Sequence, residues 1–247
     1  MRLLLGSGGF RTPERVANLR RRLIAHLGPI AKVLFIPYAL HDHDKYLQTM
    51  IERGLHADYE LVGIHRCSDP RDAIRNAEAI YVGGGNTFRL LDALYRFVLL
   101  DVIRDRVHAG IPYVGISAGS NVACPTIKTT NDMPIVQPPS FAALGLVPFQ
   151  INAHYYTGAN WVKTLTPGPS PKGRGEELVE HFGETRDDRL REFHEMNDTP
   201  VVGLWEAGVL LGDGKTVTLH DAPARMFRKG QEPMDLQPGD KFPHAPG

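Results

Sequence analysis

The sequence predicts an α/β fold with a mostly parallel, doubly wound sheet, helices on both faces and a C-terminal β-meander. Two observations support this prediction. Short apolar runs rich in β-branched residues alternate with longer segments of helical periodicity from residue 3 to residue 116. Glycine-rich turns also follow two of these runs directly, at Gly83–Gly85 and after Ile116. In a parallel sheet such turns meet beyond the carboxyl ends of the strands, where binding sites form.

The first half of the chain supplies the alternating elements. The predicted strands are 3–5, 32–37, 59–64, 79–82 and 113–116, and the predicted helices are 13–27, 46–53, 70–77, 87–94 and 99–108. Thr12 as N-cap and Pro13 at the first helical position define the start of the first helix. His41 and His43 lie two residues apart in a polar loop, where an aspartate capping the next helix is commoner than a metal site. No metal is therefore predicted.

The second half is less regular. Residues 124–139 are rich in proline and polar side chains, which predicts a loop lining the site. Later elements are a strand at 147–156 that contains His154, a helix with Thr185 as N-cap, a strand at 199–205 followed by Glu206, and a meander at 208–229 with a turn at Asp213-Gly214. We expect one α/β domain over residues 1–230, a flexible low-complexity insertion at about 164–177 and a loose tail over 231–247.

Composition narrows the class of partner. Lys and Arg total 28, Asp and Glu also total 28, and the isoelectric point is near 7.2. This balance argues against nucleic acid or a membrane surface as the main partner and favours a small molecule. The two cysteines, Cys67 and Cys124, are predicted to be reduced, buried thiols. Because no apolar run is long enough for a signal segment or a membrane span, we expect a cytoplasmic protein.

The most informative stretch is Gly115-Ile-Ser117-Ala-Gly119, which fits the G-x-S-x-G pattern of a nucleophile elbow. In that turn a strand passes sharply into a helix and leaves the serine hydroxyl exposed beside backbone N–H groups. Five loosely specified positions also fit a strand-to-helix turn without chemistry. The serine needs a base, and His154 at the end of a predicted strand is a candidate.

Five ordered motifs together resemble the α-aspartyl dipeptidases, or peptidase E, which are serine peptidases of family S51 related in fold to the class I glutamine amidotransferases. The motifs are Gly83-Gly-Gly-Asn-Thr-Phe88, Gly115-Ile-Ser-Ala-Gly-Ser-Asn121, Cys124-Pro-Thr-Ile-Lys-Thr-Thr-Asn-Asp-Met-Pro-Ile-Val136, Gln150-Ile-Asn-Ala-His154 and Gly183-Glu-Thr-Arg-Asp-Asp-Arg189. The resemblance implies a cytoplasmic enzyme that hydrolyses dipeptides with an N-terminal aspartate, without metal or cofactor. Its partner would be a small dipeptide.

The resemblance also implies residue roles. Ser117 corresponds to the nucleophile and His154 to the base. The third member is either Asp132 or Glu206. We favour Glu206, because a carboxylate at the end of a buried strand is held rigidly. Asp132 would then shape the site or meet the ammonium group of the substrate.

Further roles concern the substrate. The backbone N–H groups of Gly85 and Ala118 are expected to stabilise the oxyanion. Arg186 is expected to bind the aspartate side chain through its guanidinium fork, and Asn86 and Asn121 are assigned to substrate binding.

Two rival readings stay open: a cyanophycinase-like peptidase of β-aspartyl bonds, and a catalytically silent amidotransferase-like binding module. The oligomeric state is also open between a monomer and a homodimer.

Overall fold

A computed structural model describes residues 1–157, 161–165, 176–180 and 184–243. The strands are β1 (Arg2–Gly6), β2 (Lys32–Ile36), β3 (Glu60–Gly63), β4 (Ile80–Val82), β5 (Pro112–Ile116), β6 (Gln150–Tyr155), β7 (Trp161–Leu165), β8 (Glu176–Glu180), β9 (Val201–Trp205), β10 (Val209–Gly212), β11 (Thr216–His220), β12 (Ala224–Phe227), β13 (Met234–Leu236) and β14 (Lys241–Pro243). The helices are α1 (Pro13–Leu27), α2 (His43–Glu52), α3 (Pro70–Arg75), α4 (Thr87–Arg96), α5 (Leu100–His108), α6 (Ala118–Asn121) and α7 (Arg186–Met196).

The large sheet confirms the predicted α/β architecture. Its eight strands follow the order β14-β11-β10-β1-β5-β4-β2-β3, and the five strands from β1 to β3 in that order run parallel. Along β1, Leu3 and Leu5 pack into one core cluster and Leu4 into another. Because side chains alternate between the faces of a strand, this division shows that both faces of the sheet are covered.

A second sheet departs from the single sheet that the sequence predicts. Its order is β13-β12-β9-β6, with β6 parallel to β9 and the other pairs antiparallel. The strand that contains His154 and the strand that precedes Glu206 therefore belong to a separate sheet and not to the one that carries Ser117. Hydrophobic runs identify buried strands but do not identify the strand that each one pairs with. In addition, β7 and β8 form an antiparallel pair.

The C-terminal strands are present and divide between the sheets. β10 and β11 form a hairpin, in which Asp213 accepts hydrogen bonds from the backbone N–H groups of Lys215 and Thr216. The next strand, β12, pairs with β9 in the second sheet. The expected loose tail is wrong for residues 234–243, because β13 pairs with β12, β14 pairs with β11, and Leu236 and Phe242 are buried.

Several smaller predictions also meet the structure. The second helix begins earlier than predicted, because the Asp42 side chain accepts from the Lys45 backbone N–H and caps it. Cys124 is a buried free thiol as expected, whereas Cys67 is only partly buried. The centre of the predicted insertion, residues 166–175, and the last four residues lie outside the described residues. Within the described ranges, every helix is too short or too polar to cross a membrane.

Candidate active site

Ser117 lies at the sharp turn between β5 and α6, with φ 54° and ψ −108°. Its N–H donates to the carbonyl oxygen of Gly6, at 2.8 Å. A side chain at Gly119 would place its Cβ 2.2 Å from the carbonyl oxygen of Val82, so only glycine lets the helix pack against β4. Left-handed backbone at a non-glycine residue is strained and recurs at functional turns. The turn therefore holds the serine hydroxyl at the end of the parallel strands.

His154 is presented by an irregularity in β6. The register between β6 and β9 shifts between Ala153 and Tyr155, and His154 itself has φ 58°. The buried Ser7 hydroxyl fixes this position, because it accepts from the His154 backbone N–H at 2.8 Å and donates to the carbonyl oxygen of Leu204 at 2.8 Å. A side chain from the end of β1 thus connects the two strands that carry the imidazole and Glu206.

The structure joins three predicted residues in one hydrogen-bonded chain. Ser117 Oγ lies 2.7 Å from His154 Nε2, and His154 Nδ1 lies 2.7 Å from Glu206 Oε1. Because a carboxylate only accepts, the Nδ1 atom carries the proton and Nε2 is free to accept from the serine hydroxyl. This is the arrangement that a serine nucleophile and its general base require.

Glu206 sits at the corner between β9 and β10. Two backbone hydrogen bonds hold this corner against the loop after β1: Ala207 N–H donates to the Gly8 oxygen at 2.8 Å, and Ser7 N–H donates to the Gly208 oxygen at 2.9 Å. The large sheet, which contains β1 and β10, thereby fixes a carboxylate that follows a strand of the smaller sheet.

The loop after β1 is a functional element that the sequence predicts only as a turn. A Cβ at Gly8 would lie 2.5 Å from His154 Cε1, and a Cβ at Gly9 would lie 2.1 Å from Glu206 Oε2. The backbone of Gly8 and Gly9, which carries no side chains, therefore packs directly against the imidazole and the carboxylate. The run Gly6-Ser7-Gly8-Gly9 directly after the first strand is the signal that could have indicated this role.

The backbone groups predicted to bind an oxyanion lie on both sides of Ser117. Ala118 is the first residue of α6, where helical N–H groups lack an intrahelical partner. On the other side, a Cβ at Gly84 would lie 3.1 Å from the Ser117 Cβ, which brings the Gly83–Gly85 turn next to the serine. Neither Gly85 nor Ala118 donates its N–H to a backbone oxygen of the described residues.

Asp132 has a different set of partners from Glu206. Its Oδ2 accepts from the Thr87 backbone N–H at 2.8 Å, from the Thr87 hydroxyl at 2.5 Å and from the Thr130 hydroxyl at 3.1 Å. The carboxylate thus fixes the start of α4 to the loop that follows α6. It lines the cavity at Ser117, but among the described residues it makes no hydrogen bond with His154.

The amides of Asn86 and Asn121 make hydrogen bonds within the protein. Asn86 caps α4 by accepting from the Arg89 N–H and donates to the carbonyl oxygen of Met133. The buried Asn121 amide lies 3.2 Å from the hydroxyls of Thr87 and Thr130. Neither residue lines the cavity at Ser117. These bonds hold the loops around the site, and the substrate contact of the two residues stays a prediction.

Arg186 is half-buried at the start of α7. It donates to Asn131 Oδ1 and stacks over the Tyr156 ring, with Cζ 5.5 Å from the ring centroid. Burial lowers the pKa of Arg186. The guanidinium does not line the cavity at Ser117, although Asn131 is the chain neighbour of cavity-lining Asp132.

A buried polar network fixes α7 next to β6. Asp187 accepts hydrogen bonds from the Tyr155 hydroxyl and from Arg225 Nη1, the latter at 2.9 Å. Arg225 also forms an ion pair with Asp235. Because Asp187 and Tyr155 are the chain neighbours of Arg186 and His154, the network couples the positions of these two site residues.

The cavity at Ser117 has a volume of about 510 Å³ and reaches from the elbow to α2. Its walls come from the loop after β1, from α2, from the Gly84–Gly85 turn and from the elbow. Among the described residues, no three His, Cys, Asp or Glu side chains are grouped to hold a metal ion. The site as described offers a nucleophile, a base and backbone donors around one cavity.

The chain is similar to known proteins over most of its length. The model of peptidase family S51 matches residues 2–220. Peptidase E of Streptomyces coelicolor is 48% identical over 212 residues, which cover 85% of this chain and 79% of that protein. A Drosophila melanogaster protein named "Probable alpha-aspartyl dipeptidase" is 45% identical over 211 residues, covering 85% and 81%.

Two solved structures resemble the fold. One is a putative peptidase E protein from Listeria monocytogenes, with a TM-score of 0.61 and 22% identity over 88% of this chain and 96% of that chain. The other is a peptidase from an acI-B1 actinobacterium, with a TM-score of 0.65 and 18% identity over 98% and 96%. At these identities the likeness concerns the fold alone.

Proposed function

This chain belongs to peptidase family S51, and from that premise we propose that it is a serine dipeptidase that hydrolyses dipeptides with an N-terminal aspartate. The hydrogen-bonded chain from Ser117 through His154 to Glu206 is the observation on which this proposal rests. A hydroxyl, an imidazole and a carboxylate in this order support acyl transfer through a covalent intermediate on the serine.

In the first half of the reaction His154 Nε2 takes the proton of Ser117 while the serine oxygen attacks the peptide carbonyl. The backbone N–H groups of Ala118 and Gly85 stabilise the oxyanion that forms. Glu206 keeps the proton on Nδ1 and stabilises the imidazolium. His154 then gives its proton to the leaving amine, the peptide bond breaks, and an aspartyl ester on Ser117 remains.

The second half repeats these steps with water. His154 takes a proton from the water that attacks the ester carbonyl, the same N–H groups bind the oxyanion, and the serine leaves with the proton returned by the imidazole. The products are aspartate and the free amino acid. No step in this scheme needs a metal or a cofactor.

Specificity for aspartate requires a cation for its side chain and an anion for its ammonium group. Arg186 supplies the cation in this proposal, and its contact with Asn131 lies next to Asp132. Burial strengthens the interaction of a guanidinium with a carboxylate, because water competes less there. Asp132 Oδ1 has no partner among the described residues and is assigned to the ammonium group.

The test is hydrolysis of Asp-Leu, Leu-Leu and a β-aspartyl dipeptide by the same preparation. Cleavage of Asp-Leu alone supports the proposal. Cleavage of the β-aspartyl dipeptide would favour the cyanophycinase-like alternative, and binding without cleavage would favour the silent module. Ser117→Ala should lower kcat by about 10⁴-fold or more with an unchanged circular dichroism spectrum. Near-normal activity of this variant would refute the mechanism.

The aspartate contact is tested with Arg186→Ala, against Arg189→Ala as the matched control on the same helix. Arg189 is exposed and pairs only with exposed Glu184 among the described residues. Arg186→Ala should lower kcat/KM for Asp-Leu by several hundredfold or more, about 3–5 kcal/mol, because a buried carboxylate loses its partner. A similar loss in both variants would remove Arg186 from the specificity site.

A further inference from the structure

We propose that the α2 end of the cavity is a subsite for the free carboxylate of the leaving amino acid, with Arg11 as its principal cation. This inference rests on the proposed function, because it takes the dipeptide as the substrate. It explains how the site would select dipeptides: the C-terminal carboxylate of a dipeptide lies one residue beyond the scissile bond, whereas in a longer peptide it lies farther away.

The cavity lining contains two groups of polar side chains. One group is Ser117, His154 and Asp132, and the other is Arg11 and Arg53, which lie where the loop after β1 meets the end of α2 and define what we call the α2 end of the cavity. Arg186, the proposed partner of the aspartate side chain, is not part of the lining. The acyl half of the substrate is thus assigned to the Asp132 side, and the α2 end is left for the leaving residue.

The α2 end carries positive charge without compensation. Among the described residues, neither Arg11 nor Arg53 forms an ion pair, and the Arg11 guanidinium donates no hydrogen bond. Arg53 Nη2 donates to the carbonyl oxygen of Phe10 at 2.5 Å, which ties the end of α2 to the loop that carries Arg11. Among the lining residues that the structure describes, Asp132 is the sole carboxylate, and it is already bonded to Thr87 and Thr130. Two guanidinium groups there favour an anionic ligand.

Chain geometry keeps Arg11 within reach of the reaction. Gly8 contacts the His154 ring, and three residues span at most about 11 Å between Cα atoms, so the Arg11 Cα lies within that distance of Gly8. The leaving amine receives its proton from the same imidazole. The carboxylate of the leaving amino acid lies within about 4 Å of its own amine, which is in the range of an arginine side chain from Arg11.

Apolar residues of the same lining suit an apolar side chain of the leaving residue. Phe10, Leu40, Met50 and Leu55 line the cavity together with the two arginines. Such a lining favours a leaving residue such as leucine, whose side chain is removed from water there. The subsite therefore combines an apolar wall with a cation for the terminal carboxylate.

The experiment compares Asp-Leu with Asp-leucinamide, which lacks only the terminal carboxylate. The variants are Arg11→Gln and Arg53→Gln. The control is Arg21→Gln, an exposed arginine on α1 that lies outside this cavity. Arg11→Gln should lower kcat/KM for Asp-Leu by about 10-fold and for Asp-leucinamide by less than about twofold. Arg53→Gln should show the same selectivity with a smaller loss, Arg11→Lys should restore part of the activity, and Arg21→Gln should match the unmodified protein.

Equal losses on both substrates, or no loss on Asp-Leu, would overturn the carboxylate subsite. A second result would also overturn the subsite. If Arg11→Gln lowers kcat/KM for Asp-leucinamide more than for Leu-leucinamide, Arg11 contacts the aspartate side chain and belongs to the acyl half of the site. Failure of the proposed function is a separate result, in which the unmodified protein cleaves neither substrate. In that case calorimetry on the Ser117→Ala protein still decides: equal affinity for Asp-Leu and Asp-leucinamide refutes the subsite.

Discussion

The site is built from two walls that the chain constructs by different means. The elbow wall consists of β5, Ser117 and α6 on the large sheet, and the base wall consists of β6 and β9 with His154 and Glu206 on the smaller sheet. In the elbow wall, close backbone contacts such as Gly119 against Val82 fix the serine. In the base wall, side chains far away in the sequence fix His154: Ser7 Oγ accepts from its backbone N–H, and Glu206 Oε1 accepts from its Nδ1.

This difference predicts which property of the protein a substitution in each wall should change. When a substitution adds atoms to a close contact between two backbones, neither backbone can move away easily, so the substitution destabilises the fold. A hydrogen bond between side chains can be weakened without moving the backbone, so its disruption should alter activity in steps. We therefore expect elbow-wall variants to change stability and base-wall variants to change kinetics.

The largest expected effect is a loss of activity in a base-wall variant. Its absence would contradict the proposed difference between the two walls. Glu206→Gln should lower kcat by about 10³-fold at nearly unchanged KM, because the amide no longer stabilises the imidazolium or fixes the Nδ1 proton. Asp132→Asn is the matched change in the carboxylate bonded to Thr87. We expect it to raise KM and to lower kcat less, measured by steady-state hydrolysis of Asp-Leu. A larger kcat loss in Asp132→Asn would move the orienting carboxylate away from the base wall.

The second prediction compares one glycine from each wall. Gly119→Ala sets a Cβ 2.2 Å from a backbone oxygen and should cost about 3 kcal/mol or more of unfolding free energy. Gly203→Ala on β9 sets a Cβ 2.7 Å from the buried Tyr155 ring, a longer contact that involves a side chain and not a backbone, and should cost less, roughly 2 kcal/mol. Urea denaturation of both variants measures the difference. Equal costs would show that the two walls are equally rigid.

The third prediction uses pH to weaken the contact of α1 with β5, the strand of the elbow wall. Burial in α1, with a smaller effect of Arg2, lowers the pKa of His26 to about 4 from 6.5, and its Nε2 lies 3.2 Å from the Tyr113 oxygen of β5. Between pH 6.5 and 4 the unfolded chain binds this proton and the folded chain does not, so stability falls as pH falls, by about 3 kcal/mol in total from this group.

The measurement is the unfolding free energy in urea at pH 7, 5.5 and 4.5 for the unmodified protein and for His26→Gln. The glutamine retains a donor for the Tyr113 oxygen but does not titrate. Its free energy should fall less steeply with decreasing pH. Parallel curves for the two proteins would exclude His26 as the source of acid sensitivity.

The smallest expected effect concerns the contact between α7 and the base wall. Asp187→Asn weakens the network with Tyr155 and Arg225, which couples Arg186 to His154. We expect KM for Asp-Leu to rise by about 10-fold with kcat reduced by less than about twofold, since Arg186 loses its fixed position while the imidazole stays bonded to Glu206. Glu195→Gln, an exposed change on the same helix, is the control. A loss confined to kcat would contradict this role.

Much of the fold follows from local pattern. The alternation of apolar runs and amphipathic segments predicted the parallel strands and the helices between them, since each run is shaped by its own side chains and caps. The second sheet was not predicted, because β6 and β9 are buried to the same degree as strands of the first sheet and their burial does not identify their partners. The C-terminal strands β14 and β13 were not predicted either, because they are ordered only by pairing with β11 and β12.

The candidate site divides in the same way. The elbow and its serine are readable from five residues, because sharp turns need small neighbours within a short stretch. The roles of the loop after β1 and of Ser7 were missed, because each depends on a partner far away in the chain. Ser7, for example, bonds to a residue 147 positions later.

The sequence by itself determined the nucleophile's turn, the alternating α/β pattern and the set of candidate acids and bases. Only the tertiary structure decided which carboxylate meets the imidazole, since Glu206 lies 52 positions beyond His154 and reaches it through the corner held by the Gly8 loop. The physical reason is the distance along the chain over which each interaction acts. Backbone sterics and helix caps act over a few residues, whereas the contact between two sheets depends on how their buried faces and the hydrogen bonds between them fit together.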